Sequence, residues 1–455
     1  AVFRIESLLD EAEKRSLLRF STAGSVDDGK STLIGRLLYD SRSLFDDQLQ
    51  AIQGADSEQP PRESLALVTD GLRAEREQGI TIDVAYRSFI TEKRRFILAD
   101  SPGHELYTRN MATAASTADL TIVLVDATKG ILAQTKRHAF IAALLGVPRL
   151  VVAVNKMDLV GYSKQIFDDV VGAFGEFAPR LSVKELRFIP MSALEGENVV
   201  KPSEQMPWYR GETLLEHLEN VYIDSDSNRI DFRFPIQLVI RSGGEGRSYS
   251  GQIVSGTVHV GDQIVVLPSR QRSRIRAIDC LGVQVPQAAV PSAVALSLDH
   301  ELDISRGDMI VREQNLPQIK QDFEAMLVWM DQTVLSPSKQ YFLRHTTRES
   351  RVFVNDIFYR VDVNSLSRLP AAPLELNEIG RVSLTSTAPL MLDSYSENRA
   401  TGNFILIDPE TFQTVAAGMV IDRHPLANRE RKLSAVSADL HEEKRFNDYL
   451  ALGKQ

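Results

Sequence analysis

Gly24 to Ser31 reads GSVDDGKS and fits the pattern G-x-x-x-x-G-K-[ST] without adjustment. Phosphate binding needs this spacing. The glycines let the loop curl so that backbone N–H groups point inward at phosphate oxygens, and Lys30 adds a mobile positive charge. Ser31 follows as the expected Mg²⁺ ligand. Upstream, Leu17 to Ala23 (LLRFSTA) reads as a strand; downstream, from Ser31, STLIGRLL opens a helix whose N-terminal dipole also favours an anion. A phosphate loop requires this strand-loop-helix setting.

Working outward, apolar strand-like runs alternate with helical stretches from Leu17 to about Asn220. Strands are expected at Leu17 to Ala23, Val84 to Thr91, Arg95 to Asp100, Leu120 to Asp126, Arg149 to Asn155 and Arg187 to Met191. Helices fit Ser31 to Leu44, Gln134 to Leu145 and Lys164 to Phe177. Such alternation predicts an α/β domain with a mostly parallel sheet, in which ligands sit at the carboxyl ends of the strands. Three further motifs fall at those ends.

Asp100 to Glu105 reads DSPGHE after the strand RRFILAD. A strand-end aspartate can hold a metal through water, and the bend at Pro102 and Gly103 offers a backbone N–H to a γ-phosphate. His104 then falls where an attacking water would stand. Thr81, in GITID, is a candidate second Mg²⁺ ligand. Asn155 to Asp158 reads NKMD. A carboxylate such as Asp158 accepts hydrogen bonds from the ring N–H and exocyclic amine of guanine, whereas adenine would leave it unpaired. Asn155 can bond the base and brace the loop, the Lys156 stem can lie along the base plane, and Ser192, Ala193 and Leu194 (SAL) would offer backbone N–H groups to guanine O6.

The whole chain has 455 residues and a formal net charge of -9, so composition advertises neither a nucleic-acid nor an anionic-membrane partner. Its apolar runs fall short of the ~18 residues of a membrane span. The N-terminus, carrying acids throughout, reads as a short amphipathic helix and not a signal peptide. A single cysteine, Cys280, suits a reducing cytoplasm and is expected to be a small buried apolar residue.

Asp224 to Arg229 (DSDSNR) reads as a linker. Beyond it, short alternating segments punctuated by Gly, Pro and Asn predict two β-barrels. The expected organisation is a P-loop domain over 1–225, barrels over 230–320 and 322–425, and a tail over 426–455 that could form a helix. The stretch RSGGEGRS at Arg241 leads into another strand and so reads as a hairpin, not a second phosphate loop; none follows the barrels. Arg344, His345 and Arg348 read as a solvated strand end.

GSVDDGKS, the threonine of GITID, DSPGH and NKMD, in that order, resemble the translation-factor class of GTPases. Gly251 to Pro268 (GQIVSGTVHVGDQIVVLP) and ISRGDMI from Ile304 resemble the barrel that follows the GTPase domain in elongation factor Tu. Within the class, GSVDDGKSTLIGRLLYDS from Gly24, DGLRAEREQGITIDVAYRSF from Asp70 and TGNFILIDPETFQTVAAGM from Thr401 are similar to the regulatory GTPase subunits of bacterial ATP sulfurylases. The resemblance implies an α/β P-loop GTPase domain followed by two all-β barrels, with GTP and Mg²⁺ as ligands. It implies a separate catalytic subunit as partner, on which GTP hydrolysis drives adenylyl transfer from ATP to sulfate; aminoacyl-tRNA delivery by a translation factor is the alternative. By the same resemblance Gly24, Asp27, Gly29, Lys30 and Ser31 cradle phosphate and metal, with Ser25, Val26, Asp28 and Thr32 also counted to the GTP site, Thr81 and Asp100 complete the metal shell, Gly103 senses the γ-phosphate and His104 orients water. Elongation factors carry His where Ser25 and Asp28 stand here. A carboxylate at Asp28, beside a polyphosphate, is unfavourable unless it points away or meets a cation.

Overall fold

The computed structural model describes residues 16–41, 84–101, 108–223, 228–242, 246–337, 339–362, 365 and 367–421. The expected N-terminal helix, Thr81, Gly103, His104 and the tail lie outside the described residues. The chain divides into two compact units, Ala1–Asp224 with Asp362–Ser367, and Ser225–Val361 with Arg368–Gln455. Among the described residues, no helix is long and apolar enough to cross a membrane.

The first unit is built on strands β1 (Leu17–Ala23), β2 (Ala85–Ile90), β3 (Arg95–Asp100), β4 (Leu120–Asp126), β5 (Arg149–Asn155) and β6 (Glu185–Pro190). They form one sheet in the order β2-β3-β1-β4-β5-β6, antiparallel only between β2 and β3. Every residue of β4 (LTIVLVD) and β5 (RLVVAVN) is buried. A continuous apolar run of this kind is what a parallel strand covered on both faces requires. Among the described residues five α-helices accompany the sheet: α1 (Lys30–Asp40), α2 (Thr108–Ser116), α3 (Ala133–Leu144), α4 (Lys164–Phe177) and α5 (Leu214–Asn220). In α4 the buried residues Phe167, Val170, Phe174 and Phe177 recur at helical spacing, and the Ser163 hydroxyl accepts the Ile166 N–H as an N-cap. In the core, Phe89 stacks on Phe96 at 4.6 Å and Phe20 meets both rings edge-on.

The expected strands and helices are present, with shifted ends at several. The helix opened at Ser31 begins at Lys30, and at its other end the Ser41 N–H closes onto the Leu37 carbonyl, 3.0 Å away. The strand expected from Arg187 spans Glu185–Pro190. Helices α2 and α5 were not anticipated. A capping box between Thr213 and Glu216 starts α5, and the buried Arg94 guanidinium satisfies carbonyls of Leu218 and Val221 at its end.

The second unit holds two closed antiparallel barrels. Strands β7 (Arg233–Ser242), β8 (Gly246–Gln252), β9 (Thr257–His259), β10 (Gln263–Leu267), β11 (Gln271–Cys280), β12 (Val283–Val285), β13 (Gln287–Ala289), β14 (Ala293–Leu298) and β15 (Met309–Arg312) supply the first. Its ring runs β10-β15-β7-β8-β14-β11 and closes through the β10–β11 pairing. As expected of a hairpin, β7 and β8 on either side of residues 243–245 pair antiparallel, with Arg241 opposite Arg247. Strands β16 (Gln318–Trp329), β17 (Gln340–His345), β18 (Arg348–Val361), β19 (Arg368–Leu369), β20 (Ile379–Leu392), β21 (Asn403–Ile407) and β22 (Thr414–Ile421) make the second, closed by β17 against β18. Closure removes the open strand edges that invite aggregation.

Two expectations fail here. Cys280 is half-buried, not fully so. The expectation of a solvated strand end holds for Arg344, which is exposed and pairs with Glu349 at 2.8 Å, and fails for the other two residues. His345 is buried with its Nε2 2.8 Å from the Thr401 carbonyl, and Arg348 meets the Gly307 carbonyl and Asp308. The contact of Arg348 with Gly307 and Asp308 joins the two barrels and is invisible in the local sequence.

The two barrels are also joined by a fully buried ion pair. Arg233, on β7 of the first barrel, grips Asp393, just after β20 of the second, through Nε to Oδ2 at 2.8 Å and a terminal nitrogen to Oδ1 at 3.0 Å. The guanidinium also donates to the Asn315 and Phe232 carbonyls, and Thr401 donates its hydroxyl to Asp393 Oδ2. Beside it, Val265, Leu267, Met309 and Val311 of one barrel pack with Met391 of the other. Breaking one partner of a buried, fully bonded pair costs about 3–5 kcal/mol, because the other charge is left stranded. We expect Asp393→Ala to lower the unfolding free energy of the barrel unit, read from urea titration, by that order, and Arg233→Met combined with Asp393→Leu to recover most of the loss.

Candidate nucleotide-binding site

Strand β1 lies between β3 and β4, where the order of strands reverses, and the phosphate loop leaves its carboxyl end into that crevice. The loop turns back through two left-handed residues, Asp27 at φ 69° and Gly29 at φ 92°. Gly29 is obligatory for a second reason: a Cβ there would lie 2.5 Å from Asn155 Nδ2. The first helical bond follows at once, from the Leu33 N–H to the Gly29 carbonyl at 2.9 Å. Ser31 and Thr32 therefore sit half-buried in the first turn of α1.

Lys30 is buried, and its Nζ donates to the Gly24 and Ser25 carbonyls, each at 2.9 Å. Burial pulls its pKa below the ordinary lysine value, against the opposing pull of Asp100, Asp28 and Asp27. An anion arriving at the loop supplies the countercharge that burial leaves wanting.

Asn155, the last residue of β5, ties three loops together. Its Nδ2 donates to the Asp28 carbonyl at 2.8 Å, and its Oδ1 accepts the Ala193 N–H at 2.9 Å. The brace expected of this residue is present. The Ala193 N–H is thereby engaged within the protein, whereas the sequence reading offered it to guanine O6. The SAL loop is held from a second side by Arg36 of α1, whose guanidinium donates to the Ala193 carbonyl at 3.2 Å and to the Leu194 carbonyl; Ser192 is fully buried beneath it. Val26 is half-buried and Asp27 exposed at the loop's crest.

The head of Lys156 is fixed on Asp126 Oδ2 at 2.7 Å, at the end of β4. Burial alone would raise the Asp126 carboxyl, but hydrogen bonds from Lys156 and Thr128 outweigh it and hold the pKa below the usual carboxylate value. Asp158, two residues on from Lys156, presents a buried Oδ1 with no hydrogen-bond partner. A carboxylate oxygen held dry without a donor fits a ligand that brings N–H groups, as guanine does. Asp100 ends β3 opposite Thr22, whose hydroxyl it accepts at 3.1 Å. With the Ser31 hydroxyl it offers hard oxygen donors of the kind Mg²⁺ takes. Sequence reasoning missed Arg36, Thr22 and Asp126. Only Asp126, a carboxylate ending the strand LTIVLVD, carried a readable signal.

On α3, His138 is buried and within electrostatic reach of Lys30. The Gln134 amide nitrogen, 2.9 Å from Nε2, donates to it, which leaves the proton on Nδ1. Burial, reinforced by Lys30 and Arg137, lowers the pKa of His138 to about 3.

Fold and site define a P-loop GTPase of the elongation factor Tu class. Residues 15–224 match the family Elongation factor Tu GTP binding domain, and residues 322–421 match the family GTP-eEF1A C-terminal domain-like. The chain is 49% identical over 423 residues to the sulfate adenylyltransferase subunit 1 of Bacteroides fragilis, covering 92% of this chain and 89% of that protein. It is 50% identical over 422 residues to the protein of the same name from Alteromonas mediterranea, with the same coverage. It is 54% identical over 434 residues to the bifunctional enzyme CysN/CysC of Mycobacterium tuberculosis, covering 93% of this chain and 71% of that protein. The chain belongs to the sulfate adenylyltransferase subunit 1 family.

His138 yields a stability test. Its folded pKa lies below its unfolded value of 6.5, so the unfolded chain binds a proton that the folded one refuses until pH nears 3. Its contribution is present above pH 6.5 and is lost as pH falls through that window. Denaturant titrations at pH 7.5 and 5 should give a smaller loss on acidification for His138→Gln than for the native chain; equal slopes would remove His138 from the pH dependence.

Proposed function

We propose that the chain binds GTP with Mg²⁺ at the carboxyl edge of the six-stranded sheet, hydrolyses it, and couples that hydrolysis to adenylyl transfer on a separate catalytic subunit. The observation that carries the nucleotide assignment is the junction at Asn155, which joins the phosphate loop at Asp28 to the SAL loop at Ala193 beside the unpartnered oxygen of Asp158. One side chain thus ties the phosphate loop to the SAL loop from the same motif that carries Asp158. Membership of the sulfate adenylyltransferase subunit 1 family supports the coupling: ATP and sulfate give adenylyl sulfate and pyrophosphate on the partner, while GTP and water give GDP and phosphate here.

Sulfate is a feeble nucleophile and adenylyl sulfate a high-energy anhydride, so its formation is strongly uphill and needs a second exergonic reaction. Lys30 would take the β- and γ-phosphate charge, and the dipole of α1 adds to it. Ser31, Asp100 and Thr81 would hold Mg²⁺, which neutralises the phosphate charge that builds during transfer. Gly103 would sense the γ-phosphate and His104 orient the attacking water. The loops around Thr81 and Gly103 would order on GTP and relax on GDP, passing the state of the site to the catalytic subunit.

The test is co-expression of the chain with its catalytic subunit, following phosphate from GTP and adenylyl sulfate together. The two products should rise in step, and omission of GTP should collapse the adenylyl sulfate yield. GTP turnover indifferent to ATP and sulfate would contradict the coupling. In the same assay His104→Ala should keep GTP affinity while slowing hydrolysis by about 10²–10⁴-fold, the usual contribution of a positioned proton-transfer group; normal turnover would free His104 of that role.

A further inference from the structure

The phosphate loop carries two adjacent aspartates in opposite surroundings. Asp27 is exposed, whereas Asp28 is 1% exposed. The carboxylate of Asp28 is folded back onto its own loop: Oδ2 accepts the Ser25 N–H at 2.6 Å, and the Asp28 N–H returns to the Ser25 carbonyl at 3.3 Å. It packs at Gly24, where an added Cβ would lie 3.3 Å from Asp28 Oδ2 and 3.1 Å from Leu124 Cβ of β4. The carboxylate is therefore wedged between the mouth of the loop and the adjoining strand. Its backbone carbonyl is the one held by Asn155.

The consequence for Lys30 follows from the peptides involved. Lys30 Nζ rests on the Gly24 and Ser25 carbonyls. The Gly24–Ser25 peptide is thus gripped from both sides, its carbonyl by the lysine and its N–H by the Asp28 carboxylate. Rotation of that peptide would move a lysine contact and break a charge-assisted bond together. Burial raises the Asp28 pKa, while the Ser25 N–H and the positive charges of Lys30 and Lys129 favour the ionised form.

We propose that Asp28 is a positioning residue: through the Ser25 N–H it fixes the peptide on which Lys30 rests, and so sets the lysine where the β- and γ-phosphates bind. This rests on the nucleotide reading above. It also gives an acidic group beside a polyphosphate a task, since Oδ2 is spent on the Ser25 N–H while Oδ1 stays buried without a hydrogen-bond partner. Where elongation factors carry His at the two positions, this chain uses a backbone N–H and a carboxylate as a matched pair.

The test is equilibrium titration of the full chain with a fluorescent GDP analogue. Binding by the native chain is the control for the nucleotide reading; its absence would overturn that reading and this proposal with it, whereas the variants below test the proposal alone. With binding established, Asp28→Ala should weaken affinity about tenfold to a hundredfold, the range of a lost charge-assisted hydrogen bond. Asp28→Asn keeps an acceptor oxygen and should stay within about threefold of native. The decisive arm is the double-mutant cycle. In a Lys30→Ala background, adding Asp28→Ala should change affinity by less than about threefold if the aspartate acts through the lysine. A full, additive loss in that background, or an Asn variant as impaired as the Ala variant, would overturn the proposal.

Discussion

The amide of Asn155 is the constraint on which the rest of the site depends. Three loops leave the carboxyl edge of the sheet from different strands, and nothing in the backbone ladder fixes their spacing. A neutral amide can donate to the Asp28 carbonyl and accept from the Ala193 N–H at the same time. A carboxylate there would set an oxygen against the Asp28 carbonyl, and an aliphatic residue would strand both buried groups at about 1–3 kcal/mol each. Gly29 is tied to the same amide, because no side chain fits beneath it. The GSVDDGKS loop and the SAL loop are therefore one object, held at the end of a strand that is buried along its whole length.

The strand-end and loop carboxylates have been sorted into different roles by their neighbours. Asp126 is committed to Lys156 and Thr128, and Asp28 to the Ser25 N–H. Asp100 faces Thr22. Asp158 and Asp28 each keep one buried oxygen, Oδ1, with no donor, and of the two only Asp158 lies in the NKMD motif. Against this acidic rim the buried Lys30 concentrates positive charge in a low-dielectric loop, where its attraction for phosphate exceeds what the same charge achieves in water.

Much of this was legible in the sequence for a physical reason. Leu17–Ala23, Arg95–Asp100, Leu120–Asp126 and Arg149–Asn155 are apolar runs that stop at a polar motif, so both their type and their ends could be read. Helix α4 showed its period in Phe167, Val170, Phe174 and Phe177. Helix α2, TRNMATAAS, has small residues in place of an apolar stripe, and α5 spans only seven residues, too few for a period to register. The buried Arg233–Asp393 pair joins positions 160 residues apart, and the buried His345 meets the Thr401 carbonyl 56 residues on. No local pattern announces such partners. Asp28 was visible as an anomaly, but its resolution needed the distance to the Ser25 N–H.

The most direct test of the account is the base preference of Asp158→Asn. The native carboxylate should accept two donors from guanine. An amide in its place can satisfy xanthine, which replaces the exocyclic amine by a carbonyl, and would confront guanine with a misplaced N–H. Competitive titration of GDP and xanthosine diphosphate against the native chain and the variant should reverse the order of affinities, with guanine disfavoured by at least about a hundredfold in the variant. Unchanged selectivity for GDP would mean that the unpartnered oxygen of Asp158 does not read the base, and the guanine site built around Asn155 would fall with it.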